Sequence, residues 1–381
     1  MIDEGLYIGL MSGTSMDALD AVLVRFTDDA RPSLKATRSS PIPENLKQRL
    51  RDVCHFRHDH LDECARLDSD FGQFQATVVS GLLQASNTSL EEVRAIGSHG
   101  QTVRHLPDAN PPYSIQIGDP ARLAVMTGID VVADFRRQDI AAGGQGAPLV
   151  PAFHAAFWRT PSEDRVLLNL GGISNIAILP GNPNQPVTGL DCGPANALLD
   201  AWIRKNLGLD LDEDGRWAAK GRIVERLLEH MLSDPYFARP LPKSTGTEYF
   251  NLNWLMTQLE ASASTDAHPA DIQATLCALT VESVTRAIQQ FAPDTRNVYV
   301  CGGGALNGHL IEALRVRMDP IKLEATSVLG LDPQWVEATA FAWLARENLH
   351  GRPGNLPSVT GARQALILGG LYRGRIKSTK T

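Results

Sequence analysis

Residues 7–24, YIGLMSGTSMDALDAVLV, place two apolar runs around a small polar turn. Tyr7–Leu10 and Ala21–Val24 carry side chains suited to a pleated, half-buried surface. Ser12-Gly13-Thr14-Ser15 between them has the composition of a turn, so the expected element is a β-hairpin. The pattern returns at residues 166–179, VLLNLGGISNIAIL, where Val166–Leu170 enters Gly171-Gly172 and Ile173–Leu179 leads away. One hairpin met twice predicts two similar halves facing a cleft.

Outward from these hairpins, apolar positions at three- and four-residue spacing predict helices over 44–55, 60–86, 195–207, 218–232, 268–291 and 334–349. Short β-like runs occur at 95–97, 114–117, 131–133 and 298–300, and a last strand is expected near 364–368. Residues 134–148, DFRRQDIAAGGQGAP, read as a Gly-rich polar loop, and 350–362 as a Pro/Gly-rich one. The tail RGRIKSTKT is polar and expected to fray. Alternating strands and helices give an α/β class with helix-covered sheets.

The 381 residues favour two domains over one. A formal net charge of -7 argues against a general nucleic-acid binder, which needs a basic face to displace counterions. Five scattered cysteines with no CxxC pair point away from a disulfide framework or structural zinc, and toward a reducing compartment. No apolar stretch approaches the roughly 20 residues that span a bilayer, and MIDEGLYIGL lacks the basic start of a signal peptide. The expectation is a cytoplasmic protein.

Four stretches can carry chemistry. In Gly9–Asp17 small residues let a backbone approach phosphate, while hydroxyls and N–H groups donate to its oxygens. No lysine stands where a GxxxxGK[ST] loop needs one, and an inert turn is the alternative. Gly302-Gly303-Gly304-Ala-Leu-Asn307 follows a strand and precedes a helix; Asn307 at the third glycine position weakens a dinucleotide fingerprint. A nucleotide at a helix N-terminus is more economical there, with a tight strand-to-helix turn as the bland reading. Gly189–Asn196 contains Asp191, and Pro194 suits a first helical turn. Asp191 would then lie near a positive helix end, which favours the ionised form that a general base needs; an N-cap is the structural alternative. Finally, Ser98-His99-Gly100-Gln101 is polar, Arg136 and Arg137 adjoin the Gly-rich loop, and Glu337 interrupts an apolar helix in WVEATAFAW. His99 could simply be a satisfied core histidine, and the arginines solvated charges. A guanidinium there could also hold a substrate carboxylate bidentately.

Taken in order, GLMSGTSMD, SHGQTV, IQIGDPA, VVADFRRQDIAAGGQGAPLVPAFH, LNLGGISNI, LDCGPANALLDAW, PKSTGTEYFN, CGGGALN and LPSVTGA resemble the characteristic segments of anhydro-N-acetylmuramic acid kinases. The resemblance runs from about residue 7 to about residue 370. It implies an α/β, two-domain actin/hexokinase-like (ribonuclease H-like) fold with an interdomain active-site cleft. Residues 1–130 with 360–381 would form domain I, and 131–359 domain II.

The same resemblance implies ATP with Mg²⁺ as cofactors, an anhydro amino sugar as small-molecule substrate, and a homodimer. Ser12, Gly13, Thr14, Ser15, Met16, Asp17, Ala18 and Leu19 match its first phosphate loop; Asn169, Gly171, Gly172 and Asn175 match its second. Gly302, Gly303, Gly304 and Asn307 match its adenosine-side segment. Asp191 matches the catalytic aspartate and Glu337 a glutamate close to substrate, with His99, Gln101, Arg136 and Lys243 as further substrate-binding candidates. Ala18, Cys192 and Ala195 stand where this family generally carries Gly, Thr and Gly. Other classes remain open: an actin-fold kinase for another sugar, a nucleotide-binding regulator, and, last, a dehydrogenase.

Overall fold

The computed structural model describes residues 5–13, 15–27, 30–55, 61–241 and 243–374. The chain forms two compact units, one of residues up to Phe153 together with those from Trp335 onward, the other His154–Gln334.

The first unit opens on β1 (Gly5–Ser12), β2 (Ala18–Thr27) and β3 (Ala30–Pro41), successive antiparallel strands. After α1 (Glu44–His55) and α2 (Leu61–Ser86), β4 (Val93–Ser98) returns parallel to β1. β5 (Gln101–Leu106) and β6 (Tyr113–Ile117) form a separate antiparallel pair, followed by α3 (Pro120–Thr127) and β7 (Val131–Ala133), which pairs parallel with β4. Then come α4 (Arg137–Ala141) and α5 (Val150–Trp158), within which the division between units falls.

The second unit repeats the scheme. β8 (Arg165–Leu170), β9 (Ile173–Leu179) and β10 (Thr188–Pro194) are antiparallel neighbours. α6 (Asn196–Leu207), α7 (Glu225–Leu232), α8 (Leu252–Ala261) and α9 (Pro269–Phe291) precede β11 (Asn297–Cys301), parallel to β8. α10 (Gly308–Met318) leads to β12 (Lys322–Ala325), parallel to β11. The chain then re-enters the first unit with α11 (Val336–Leu349), α12 (Pro357–Thr360) and β13 (Gly370–Tyr372), the last antiparallel to β7.

The sheet orders are β13-β7-β4-β1-β2-β3 and β10-β9-β8-β11-β12. Ignoring the added β13, each sheet runs fifth-fourth-first-second-third in its own order of strands, with a three-stranded meander followed by two parallel returns. This duplication is the actin/hexokinase-like arrangement expected above.

Strand periodicity builds both cores. Leu6, Ile8 and Leu10 of β1 face Leu46 and Leu50 of α1 and Phe71, Val79 and Leu82 of α2. Val166, Leu168 and Leu170 of β8 likewise join Leu198 of α6 and Ile272, Leu276 and Ile288 of α9. Each fully buried aliphatic side chain contributes roughly 1.5–3 kcal/mol. On the opposite face of the first sheet, α11 lies directly on β1 and β4. Gly9 and Gly97 are register partners there. A Cβ would stand 1.8 Å from the Ala338 carbonyl oxygen at Gly9, and 2.0 Å from that of Phe341 at Gly97. Gly9 therefore admits a helix, rather than serving a phosphate as the motif suggested.

Several expectations change. The units divide at Phe153 and Trp335 rather than near 130 and 359, because β7 pairs with β4 and α11 packs on β1. The expected 218–232 helix is a short 3-10 turn (Ala218–Lys220) followed by α7. The break falls at Gly221, where a Cβ would meet the Ala270 carbonyl at 2.0 Å. The final strand is Gly370–Tyr372, not 364–368. The tail beyond Gly374 lies outside the described residues.

Candidate active site

In the first unit the turn after β1 is tied to the start of β5. The Ser12 hydroxyl donates to Gln101 Oε1 at 2.6 Å, and both residues are buried. The Met16 N–H donates to the Gly13 carbonyl at 3.2 Å, and Met16 has φ 57°, closing the turn. Nothing lies within 4 Å of a Cβ built on Gly13, and Ser15 is exposed, so the turn presents small groups to open space. Thr14 lies outside the described residues. Asp17 pairs with Lys47 Nζ at 2.6 Å, Ala18 starts β2, and Leu19 is buried in the core.

His99 is buried, and its Nε2 accepts from Arg136 Nη2 at 2.8 Å. Burial first, and the Arg136 charge second, push the imidazole down to about 3. It is therefore neutral, with the remaining proton on Nδ1 when Nε2 accepts. Arg136 Nη1 donates to the Gly146 carbonyl at 2.8 Å, so the Gly-rich loop holds this guanidinium from the other side. Arg137 instead reaches Asp134 at 3.4 Å on the surface. Glu337 occupies the first turn of α11 and is half-buried, where the helix end favours a carboxylate.

In the second unit, Asp191 does not sit near a helix N-terminus. It is in mid-strand on β10, and Pro194 ends that strand instead of starting α6. The reason is register: Asp191 pairs with Asn175, Asn175 with Asn169, and Asn169 with Cys301. Directly opposed side chains share a face. One polar row therefore crosses β10, β9, β8 and β11 on the face away from Leu190, Ile176, Leu168 and Val300, which enter the core. Sequence reading singled out Asn169, Asn175 and Asp191 separately, and the sheet aligns them. The Asp191 carboxylate accepts from the Thr245 N–H at 2.9 Å, and its carbonyl from the Tyr236 hydroxyl at 2.7 Å. Neither partner was singled out from sequence; the segment PKSTGTEYFN was the signal pointing to one of them.

Gly171 and Gly172 form the turn between β8 and β9. Their carbonyls accept from Asn196, Ala195 and Ala197 N–H groups at 3.0–3.1 Å, seating the turn on the start of α6. Gly302 has φ 82°, and a Cβ there would fall 2.3 Å from Asn169 Oδ1, so this glycine abuts the polar row. Gly303 is exposed with open space around it, and Gly304 packs under Leu170. Asn307 is an N-cap: its Oδ1 accepts from the Leu310 N–H at 3.0 Å. A short 3-10 turn, Gly303–Leu306, thus precedes α10, whose first turn is capped by Asn307.

Lys243 is buried, with Nζ 3.2 Å from the Phe237 carbonyl and 4.6 Å from the Tyr236 ring centroid. Burial lowers its pKa, partly offset by Cys192 and Asp191. Cys192 is a core residue whose thiol is pushed up by burial. Neither Ala18 nor Ala195 is among the non-glycine residues at positive φ. Their methyl groups therefore meet no left-handed backbone.

Duplicated sheets with a small-residue turn after the first strand of each define the actin/hexokinase-like fold. More particularly, the chain belongs to the family described as anhydro-N-acetylmuramic acid kinase, whose model matches residues 5–374. It is 48% identical over 368 residues to the anhydro-N-acetylmuramic acid kinase of Coxiella burnetii, covering 97% of each chain. It is 50% identical over 366 residues to that of Shewanella denitrificans, covering 96% of this chain and 98% of the relative. The chain is thus a kinase, and ATP use follows from the class. Among the described residues, no helix is long and apolar enough to cross a membrane.

Proposed function

We propose that this enzyme uses ATP and water on 1,6-anhydro-N-acetylmuramic acid, opening the anhydro bridge and phosphorylating O6. The product is N-acetylmuramic acid 6-phosphate, which places the enzyme in peptidoglycan recycling. The observation that carries the reading is Asp191 at the end of the polar row, its carboxylate held by an N–H that favours the charged form.

In the proposed step Asp191 takes a proton from water as the water oxygen bonds to C1. The C1–O6 bond breaks, O6 bonds to the γ-phosphorus, and ADP departs with the bonding pair. The Ser12–Leu19 turn and Asn169, Gly171, Gly172 and Asn175 supply small groups and donors for the phosphates, with Gly302, Gly303, Gly304 and Asn307 on the adenosine side. His99, Gln101, Arg136 and Lys243 are proposed to bind the sugar, with Arg136 or Lys243 receiving its lactyl carboxylate. Glu337 is proposed to lie close to the sugar. Mg²⁺ would neutralise phosphoryl charge; it takes oxygen ligands and usually arrives with substrate phosphates and water, and the part-exposed Asp17 carboxylate is a donor of that type.

We further propose a cytoplasmic homodimer; its five free cysteines support a reducing compartment. Turnover in ¹⁸O-water tests the reaction. Label at C1 of the product is expected, and unlabelled sugar phosphate would reduce the activity to plain phosphorylation.

A further inference from the structure

The aromatic side chains of Tyr236, Phe237, Tyr249, Phe250 and Trp254 form a knot that has no part in the reaction as proposed above. Tyr236 packs edge-on to Phe237 and Phe250, at 5.7 and 5.2 Å between ring centroids. Phe250 packs in turn on Tyr249 and Trp254, at 4.8 and 5.0 Å. Asp234 fastens the knot by accepting from the Tyr249 hydroxyl at 2.7 Å, Trp254 Nε1 at 2.9 Å and the Tyr236 N–H at 2.8 Å. Such a cluster is rigid, because each ring sits against others and each polar tip is satisfied.

What this rigid body touches is Asp191, at three points. The Asp191 N–H donates to the Lys243 carbonyl at 3.0 Å, the Tyr236 hydroxyl donates to the Asp191 carbonyl at 2.7 Å, and the Thr245 N–H donates to Oδ2 at 2.9 Å. Main chain and side chain of one residue are thus fixed by one neighbour. Asp191 lies on a strand whose register to β9 shifts between Asp191 and Gly193, so the β-ladder alone holds it poorly. We propose that Tyr236 and Thr245 are positioning residues, clamping Asp191 so that its carboxylate keeps one rotation toward the reacting water. The proposal rests on Asp191 being the base.

Two consequences follow. Orientation errors act on the chemical step more than on binding, so Tyr236→Phe is expected to lower kcat about tenfold while KM for sugar and ATP stays within about twofold. An N–H on Oδ2 stabilises the ionised carboxylate, so removing it raises the pKa of the base and moves the acid limb of the kcat–pH profile to higher pH. Among the described residues, the charged and titratable groups facing Asp191 include Lys243, Tyr236 and Cys192, with Arg239 over the Tyr236 ring; all remain in place when the N–H is removed.

The test replaces the 244–245 amide by an ester, which deletes the Thr245 N–H and keeps the side chain. Thr245→Ala, which keeps the N–H, is the matched comparison. The full-length ester chain should show its acid limb about one pH unit higher than the alanine variant. Coincident limbs, or a Tyr236→Phe variant with the parent kcat, overturn the clamp while leaving Asp191 as base. If the ester chain does not fold, the kcat and KM of Tyr236→Phe decide. An Asp191→Asn variant that keeps turnover would overturn the base assignment itself, a distinct result.

Discussion

Asp139 shows how much one side chain can organise. It is fully buried and accepts from the Gly146 N–H at 2.8 Å, Asn355 Nδ2 at 2.7 Å and the Thr360 hydroxyl at 2.7 Å. It thereby ties the Gly-rich loop to Asn355 and Thr360, 216 and 221 residues further along the chain, and it holds the glycine whose carbonyl anchors Arg136. Asp139→Ala removes an acceptor from three buried donors; Asn355 Nδ2 and the Thr360 hydroxyl keep longer bonds to the Gln364 and Leu356 carbonyls at 3.3 and 3.4 Å, so the main loss is at the Gly146 N–H, at about 1–3 kcal/mol when unmet. A large fall in urea midpoint is expected, and an unchanged midpoint would mean that water replaces the carboxylate. Arg136→Ala removes the donor to the Gly146 carbonyl but leaves the loop held by Asp139, and so tests binding: KM for the sugar should rise about tenfold or more, with kcat changing less. Equal losses in both would place Arg136 in the chemical step instead.

At the scale of elements, the contact of α11 with β1 and β4 depends on two missing methyl groups. Gly9→Ala or Gly97→Ala would force α11 outward, at roughly 1–3 kcal/mol for overpacking. Because Glu337 rides on that helix, kcat is expected to fall beyond what the loss of stability explains; denaturation and steady-state kinetics on the same variants separate the two effects. Both hairpins, α1, α2, α9 and β11 were legible in the sequence, since their apolar periodicity is strong and local. β10 was not, because TGLDCGP has two glycines, an aspartate and a proline, and is a strand only through its pairing with β9. The polar row was hidden for a related reason. A two-glycine turn at 171–172 would set Asn169 opposite Ser174, but the ladder pairs it with Asn175, one residue further on. The segment PKSTGTEYFN marked the region of Thr245 but not the residue, because its part is played by a main-chain N–H, which every sequence contains. The residue types at Asp191, Asn169 and Asn175 pointed to chemistry; their alignment came from long-range pairing.

On the scale of the whole molecule, two buried histidines and the half-buried His105 link folding to pH. Burial lowers His99 and His154 to about 3 and His105 to about 4, from an ordinary value of 6.5. The unfolded chain therefore binds protons that the folded chain refuses. Stability is therefore full above about pH 6.5, where neither state takes up the proton, and is lost as pH falls from there toward 4 and 3, where the folded rings also protonate. The melting temperature is expected to drop between pH 7 and pH 5, and less steeply in His105→Asn. A flat profile over that range would show that these rings are protonated without unfolding.

The most direct measurement is ADP release with 1,6-anhydro-N-acetylmuramic acid, comparing the natural chain with Asp191→Asn. The account predicts sugar-dependent turnover in the natural chain and a loss of about 10²–10⁴-fold in the variant, the usual contribution of a general base. Turnover unchanged by the substitution would contradict the role of Asp191. No sugar-dependent turnover in a chain that binds ATP would contradict the assigned substrate.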